Sequence, residues 1–264
     1  MVNCYRVGDC TVGNDMFVVR TYSLAPWNTD IDRLLSHLGG QVELMSRHSE
    51  EDDFRAVYQY RGVQSAKIEG VFAAHRRPAV TMMTSADLAV ALDFYSRPPL
   101  GDAGVPQRTA SGDRMYFAKY RNDVAAREEI GRIAAAFVAG HPLLAKSDAV
   151  VAMPGQESGG AQPLSIALEM AHAIRDQGGL SLANLARAAD VPSRRENRYA
   201  SHEGSMAADD VTNRVVIVVD DAVRDGGTIE EAYRALKAAG AWRVFVLAAA
   251  KDWTGTRRFR REDD

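Results

Sequence analysis

The chain is poor in cysteine: its 264 residues include two, Cys4 and Cys10. Two thiols exclude a disulfide-stapled scaffold and a four-cysteine zinc site, and they point to a reduced, cytoplasmic setting. Long apolar runs are also missing. No stretch of about 18 apolar residues occurs, so no segment is suited to cross a bilayer. The opening MVNCYRVGDC lacks the apolar core of a secretion signal. Positive charge is not in excess: 32 Lys and Arg against 35 Asp and Glu leave a formal charge of −3. A generic polyanion binder is strongly basic, so non-specific nucleic-acid binding is disfavoured. G-x-x-x-x-G-K-[ST] is absent, as is G-x-G-x-x-G after a strand, which removes a P-loop and a dinucleotide fingerprint. The six histidines show no metal-ligand spacing, and there is no internal repeat or low-complexity tract.

What is present is ordinary globular composition, 46% apolar and 25% charged. At roughly 150 residues per domain the length corresponds to about 1.8 domains. In the first part, strands are expected over 15–22, 54–60, 66–73 and 79–84. Helices are expected over 29–38, with Thr29 as N-cap and Gly39-Gly40 as the stop, and over 85–95, where Leu88, Leu92 and Tyr95 share a face. The Pro- and Gly-rich stretch 97–113 reads as a linker. Beyond it the pattern alternates. A segment over 113–121 ends as a strand, and a strong amphipathic helix covers 124–140, closed by Gly140. A strand over 148–155 follows, then a helix over 163–179 with Pro163 near its first turn. The series ends with a strand over 214–221, a helix over 228–240 and a strand over 243–250. Continuous apolar strands alternating with helices specify a parallel sheet covered on both faces.

The most informative segment is VVIVVDDAVRDGGTIEEAYRALKAAG, residues 215–240. A buried strand ends in two carboxylates, a short glycine-containing loop follows, and a helix begins. Ligands of open parallel sheets sit beyond the carboxyl ends of the strands. The N–H groups and dipole at a helix start favour an anion such as phosphate. Gly226 and Gly227 allow close backbone approach. Asp220 and Asp221 are placed to accept hydrogen bonds from sugar hydroxyls, or to meet Mg²⁺ through water. Thr228 and Glu231 have the spacing of a capping box, so an N-cap role for Thr228 stands beside phosphate contact.

This segment resembles the PRPP-binding signature of type I phosphoribosyltransferases. AKYRNDVAAREEIGRIAAAFVAG followed by DAVVAMPG is similar to the ComF-type branch, with its Lys-Tyr-Arg before a helix and its strand ending in a Pro turn. The match covers about residues 113–252. The resemblance implies a doubly wound, mostly parallel phosphoribosyltransferase-like α/β sheet over 113–252. An N-terminal α+β portion over 1–112 precedes it, and a charged tail over 253–264 follows. It implies that Asp220 and Asp221 contact the ribose hydroxyls, and that Arg224, Asp225, Gly226, Gly227 and Thr228 form the 5′-phosphate loop. The turn beginning Pro154, Gly155, Gln156 would hold pyrophosphate. Arg194, Arg195 and Arg198 could close over a phosphorylated ligand, since guanidinium forks suit phosphate; Arg195 is the site candidate among them. Lys119 and Arg121 stand either as ligand contacts or as simple strand-end charges. Magnesium is the implied cofactor, brought by the ligand, with Asp220 and Asp221 as the candidate residues to meet it.

The chain departs from the family pattern at three places. The family loop commonly reads Thr-Thr-Gly-x-Thr, whereas this one reads Arg-Asp-Gly-Gly-Thr. An ionised Asp225 about 4 Å from a phosphate costs roughly 4 kcal/mol per charge pair at an effective dielectric of 20. The helix dipole returns only about 0.3–1 kcal/mol, up to ~2. Second, the turn 154–163 contains no Lys or Arg. Third, Cys4 and Cys10 do not form the CxxC zinc ribbon with which ComF-like chains often begin. The expected activity is therefore phosphoribosyl transfer from PRPP to an acceptor. The alternative is a non-catalytic module on the same fold that senses PRPP or a nucleotide, or docks a protein. A nucleic-acid-processing role by analogy with DNA uptake has no support in the charge balance. A homodimer is left open.

Overall fold

The computed structural model describes residues 4–12, 16–23, 41–50, 53–62, 65–75, 79–82, 84–96, 107–155, 165–187 and 204–252. The first strands among the described residues are β1 Cys4–Val12, β2 Met16–Ser23, β3 Gln41–Glu50 and β4 Asp53–Arg61. Helix α1 Ser65–Ala74 follows, then β5 Val80–Met82 and β6 Leu88–Ala91. Helices α2 Ala110–Tyr120 and α3 Val124–Gly140 lead to β7 Ala149–Ala152 and helix α4 Ile166–Gly178. Three short strands come next, β8 Ser181–Leu182, β9 Leu185–Arg187 and β10 Met206–Ala208. The chain then forms β11 Val215–Val223, α5 Gly227–Ala238 and β12 Arg243–Lys251.

Among the described residues ten strands form one sheet in the order β3-β4-β2-β1-β5-β6-β12-β11-β7-β8, and β9 and β10 form a separate pair. From β6 to β8 every pairing is parallel; from β3 to β6 every pairing is antiparallel. The expected α/β class with a parallel half is what the chain adopts, and its N-terminal strands extend the same sheet. The centre is covered on both sides. Val215, Ile217, Val219, Phe245 and Leu247 face one core with α1 to α4. Val216, Val218, Val244, Val246 and Ala248 face a second core with α5.

Several expected elements change type. Residues 66–73 are helical rather than extended, because Ile68, Val71 and Phe72 recur at helical spacing and all three are buried. Residues 85–95 hold strand β6 instead of a helix: Leu88 to Ala91 are all buried, and β6 pairs in parallel with β12. A strand covered on both faces has no period, so its leucines imitate a helix. Residues 113–120 are helical too, with Arg121 as the C-cap. Thr109 caps α2, accepting from the Gly112 N–H at 3.0 Å and donating to the Phe94 carbonyl at 2.5 Å. Gly112 packs so closely that a Cβ there would lie 1.8 Å from the Tyr95 carbonyl oxygen. Helix α2 thus runs through residues 112 and 113, within the stretch read as linker. The final turn of α3 is capped at His141, one residue past Gly140. The helix expected over 29–38 and Pro163 lie outside the described residues.

Two buried histidines tie the N-terminal portion to the parallel half. His75 Nε2 lies 3.1 Å from His141 Nε2, and His75 Nδ1 lies 2.7 Å from Thr81 Oγ1. His141 Nδ1 accepts from the N–H groups of Leu143 and Leu144 at 3.2 and 3.3 Å. A nitrogen that accepts two N–H groups carries no proton, so His141 is an Nε2–H tautomer that donates to His75. His75 then donates from Nδ1 to Thr81. His75, at the end of α1, is fully buried. Burial pushes the His141 imidazole down to about 4. Burial, and then the His141 charge, hold His75 well below its ordinary value. Both remain neutral when folded, while the unfolded chain takes up protons below about pH 6.5. The stability they confer is therefore complete above pH 6.5 and is lost as pH falls towards 4. Between pH 7 and pH 5 His141 should remove about 2 kcal/mol of unfolding free energy, and His75 should act in the same direction. Urea titrations at the two pH values test this, and imidazole resonances of either residue that titrate above pH 6 would refute it.

Candidate functional site

Parallel strands β7, β11 and β12 bring their carboxyl ends to one edge of the sheet. Strand β11 does not stop at the acids, as expected, but continues in register with β12 through Val223, opposite Lys251. Asp220 and Asp221 are therefore held by the sheet rather than by a loop. The Asp221 N–H donates to Asp220 Oδ1 at 2.8 Å, and the Ala222 N–H donates to Asp221 Oδ1 at 2.6 Å. Beside them, the Met153 N–H donates to the Val219 carbonyl at 2.8 Å, which sets Pro154 and Gly155 at the same edge.

Helix α2 contributes a cation. Lys119 Nζ lies 2.5 Å from Asp221 Oδ2, across 102 positions of sequence. Burial opposes the Lys119 charge, but the Asp221 charge and hydrogen bond outweigh it and hold the ammonium above its ordinary value. Asp220 behaves differently. Burial, with the neighbouring Asp221 charge, pushes its carboxyl up to about 8. Near neutral pH the pair is thus one protonated acid and one carboxylate already matched by a lysine.

The loop after β11 turns into α5 at Gly226, whose φ of +80° lies in the left-handed region that suits glycine. Gly226 is the N-cap, and its carbonyl accepts from the Glu230 N–H at 3.0 Å. This corrects the expected N-cap at Thr228, which lies inside the first turn. The capping-box partner is occupied elsewhere. Glu231 is buried, accepts from the Ser205 N–H at 2.9 Å and pairs with Arg234 at 2.5 Å. Asp225 Oδ1 accepts from the Gly227 N–H at 3.3 Å. A carboxylate of the chain therefore sits on one of the N–H donors at the start of the helix, where an anionic ligand would also bind.

Of the sequence-derived site residues, Asp220, Asp221, Arg224, Asp225, Gly226, Gly227, Thr228, Pro154 and Gly155 share this edge. Gln156 and Arg195, with Arg194 and Arg198, lie outside the described residues. Among the described residues no group of three or more His, Cys, Asp or Glu could hold a metal ion, and no helix is long and apolar enough to cross a membrane. Two contributors escaped the motif: Lys119 as partner of an acid, and Lys251, which is fully buried and donates to the Arg224 carbonyl at 2.9 Å. The available signal for Lys251 was a charge ending the apolar strand that neighbours the acid-bearing one.

A domain class follows from this sheet edge: an acid-bearing parallel strand, a glycine turn and a helix start whose N–H groups suit an anion. The phosphoribosyl transferase domain model matches residues 128–259, half of the chain, and the chain belongs to that family. No curated protein matches it. Similar solved structures include the glutamine PRPP amidotransferase of B. subtilis, at 12% identity and TM-score 0.37, covering 91% of this chain and 47% of that one. The phosphoribosylpyrophosphate synthetase of Mycobacterium smegmatis is 23% identical at TM-score 0.31, covering 47% and 35%. The adenine phosphoribosyltransferase of Leishmania tarentolae is 11% identical at TM-score 0.39, covering 64% and 93%. The chain spans less than half the length of the first two.

The raised Asp220 carboxyl has a stability signature. The folded chain keeps this proton between about pH 4 and pH 8 while the unfolded chain loses it, so stability falls as pH rises through that window. Asp220→Asn should therefore raise Tm more at pH 8.5 than at pH 5, by at least about 3 °C at roughly 2–4 °C per kcal/mol. Thermal melts of both proteins at both pH values check this, and an equal effect at the two would contradict it.

Proposed function

We propose that the chain binds PRPP, or a ribose 5-phosphate nucleotide, and transfers the phosphoribosyl group to an acceptor with release of pyrophosphate. The observation that carries this reading is the meeting of the acid pair, the Gly226 turn into α5 and the 154–155 turn at one sheet edge, in a member of the phosphoribosyl transferase family. In this reading Asp220 and Asp221 take the ribose hydroxyls, and the backbone of 224–228 takes the 5′-phosphate. The 154–158 turn, with Gln156, takes pyrophosphate, and Arg195 closes over the ligand. Residues 113–252 carry this machinery in a cytoplasmic protein, and strands β1 to β6 extend its sheet. The Lys119-Tyr120-Arg121 run before α3 supports placement in the ComF-type branch.

Chemically, the bond between ribose C1 and the pyrophosphate oxygen breaks, and its electron pair leaves with pyrophosphate. The acceptor's lone pair forms the new bond to C1, and the acceptor's proton goes to solvent. The protein's part is positioning and stabilisation of charge in an oxocarbenium-like state. Protonated Asp220 can donate to one ribose oxygen, while Asp221 accepts from the other hydroxyl once Lys119 yields its place. The described residues do not fit a resident magnesium, because Asp221 is matched by Lys119 and no third ligand stands near. Magnesium in this reading arrives on the pyrophosphate as part of the substrate.

The bond from the Gly227 N–H to Asp225 also favours a second reading, a non-catalytic sensor whose loop is held by its own carboxylate. PRPP with Mg²⁺ at about 100 times Kd should add about 2.7 kcal/mol, or roughly 5–10 °C in Tm. The absence of any shift with PRPP or ribose 5-phosphate defeats both readings. Given binding, pyrophosphate release across a panel of nitrogenous acceptors separates enzyme from sensor. Asp225→Thr should tighten phosphate binding about tenfold by removing a competing carboxylate; weaker binding would make Asp225 a ligand contact instead.

A further inference from the structure

Lys251 ends β12 and is fully buried. Its own backbone is clamped on the side of β6: its N–H donates to the Asp93 carbonyl at 2.9 Å, and its carbonyl accepts from the Tyr95 N–H at 2.9 Å. From that fixed origin Nζ donates to the Arg224 carbonyl at 2.9 Å and to the Asp252 carbonyl at 2.5 Å. The Asp252 N–H in turn donates to the Val223 carbonyl at 2.8 Å, closing the end of β11 over the lysine. Burying an ammonium is costly unless hydrogen bonds satisfy it. The two carbonyls supply such bonds, and one of them belongs to the loop between β11 and α5.

The bond to Arg224 has a consequence for direction. A trans peptide is planar, with its C=O and N–H pointing opposite ways. With the Arg224 carbonyl drawn into the core towards Lys251, the Asp225 N–H faces away from the core. That is the side on which an anion at the start of α5 would lie. A flip of this peptide would replace a donor with a carbonyl oxygen facing the anion. The lysine also places a positive charge behind a loop whose Asp225 adds a negative one.

We propose that Lys251 is a positioning residue for phosphate binding: it holds the 224–225 peptide with its N–H towards the ligand and sets a buried positive charge behind it. This rests on the reading of 224–228 as the phosphate loop. The test uses the full chain as wild type, Lys251→Arg and Lys251→Met, with ribose 5-phosphate titrated calorimetrically at a temperature where all are folded. Lys251→Met should weaken binding at least tenfold, and Lys251→Arg, which keeps a charged donor, should recover most of it. A purely structural lysine would lower Tm in Lys251→Met and leave the affinity unchanged, and that result overturns the proposal. Should Lys251→Met fail to fold, Lys251→Gln carries the same comparison. The Asp225 amide resonance of the ligand-free proteins separates this proposal from the reading beneath it. If wild type binds no ribose 5-phosphate, the phosphate loop fails as a reading. An Asp225 amide that moves between wild type and the variant still supports the grip of Lys251, and one that stays in place refutes it.

Discussion

The rest of the structure depends on one pairing, the parallel ladder between β11 and β12. Val216 to Val219 and Val244 to Ala248 are buried on both faces of the sheet. Full burial of a side chain of this size contributes about 1.5–3 kcal/mol, so the ladder cannot slide without exposing both cores. Its register is what sets Asp220 opposite Ala248 and Val223 opposite Lys251. The polar groups at the carboxyl edge inherit their positions from that apolar constraint. An acid on a strand two residues from its end is placed by the sheet; on a loop it would carry the loop's freedom.

Charge at this edge is arranged in compensating pairs. Asp221 faces Lys119, Asp220 keeps a proton, and the Asp225 carboxylate rests on the Gly227 N–H. Lys251 satisfies itself on backbone carbonyls. The polar groups at this edge are thus partnered within the chain. The pairing of Asp221 involves α2, whose start is pinned beneath Tyr95 at Gly112 and whose last turn carries Lys119. The N-terminal half reaches the site by the same route, since Phe94 and Tyr95 follow β6 and receive α2.

Legibility in the sequence followed from how local each determinant is. The segment 215–240 was readable because apolar run, acids, glycine turn and helix are consecutive, and each has its own short-range cause. The long helix over 124–140 and the strands over 148–155 and 243–250 were readable for the same reason. By contrast, β6 and α1 were exchanged in type. Leu88, Leu92 and Tyr95 imitate a helical stripe in a segment that other elements cover on both faces. Ile68, Val71 and Phe72 sit in a short stretch whose β-branched residues imitate a strand. Helix α2 was hidden because its cap, Thr109, and its close-packed Gly112 answer to Phe94 and Tyr95, which lie well upstream.

By itself the sequence determined the α/β class, the acid pair, the glycine turn and the edge of the sheet at which they would lie. All of these arise from residues within one helical turn or one strand of each other. Tertiary structure alone decided that ten strands share one sheet, that His75 meets His141, that Lys119 answers Asp221, and that Lys251 grips Arg224. Those contacts join residues 27 to 102 positions apart. Nothing in local propensity distinguishes a lysine that will be buried against a carbonyl from one that will be solvated. The difference is made when both cores close and the register of β11 on β12 is set.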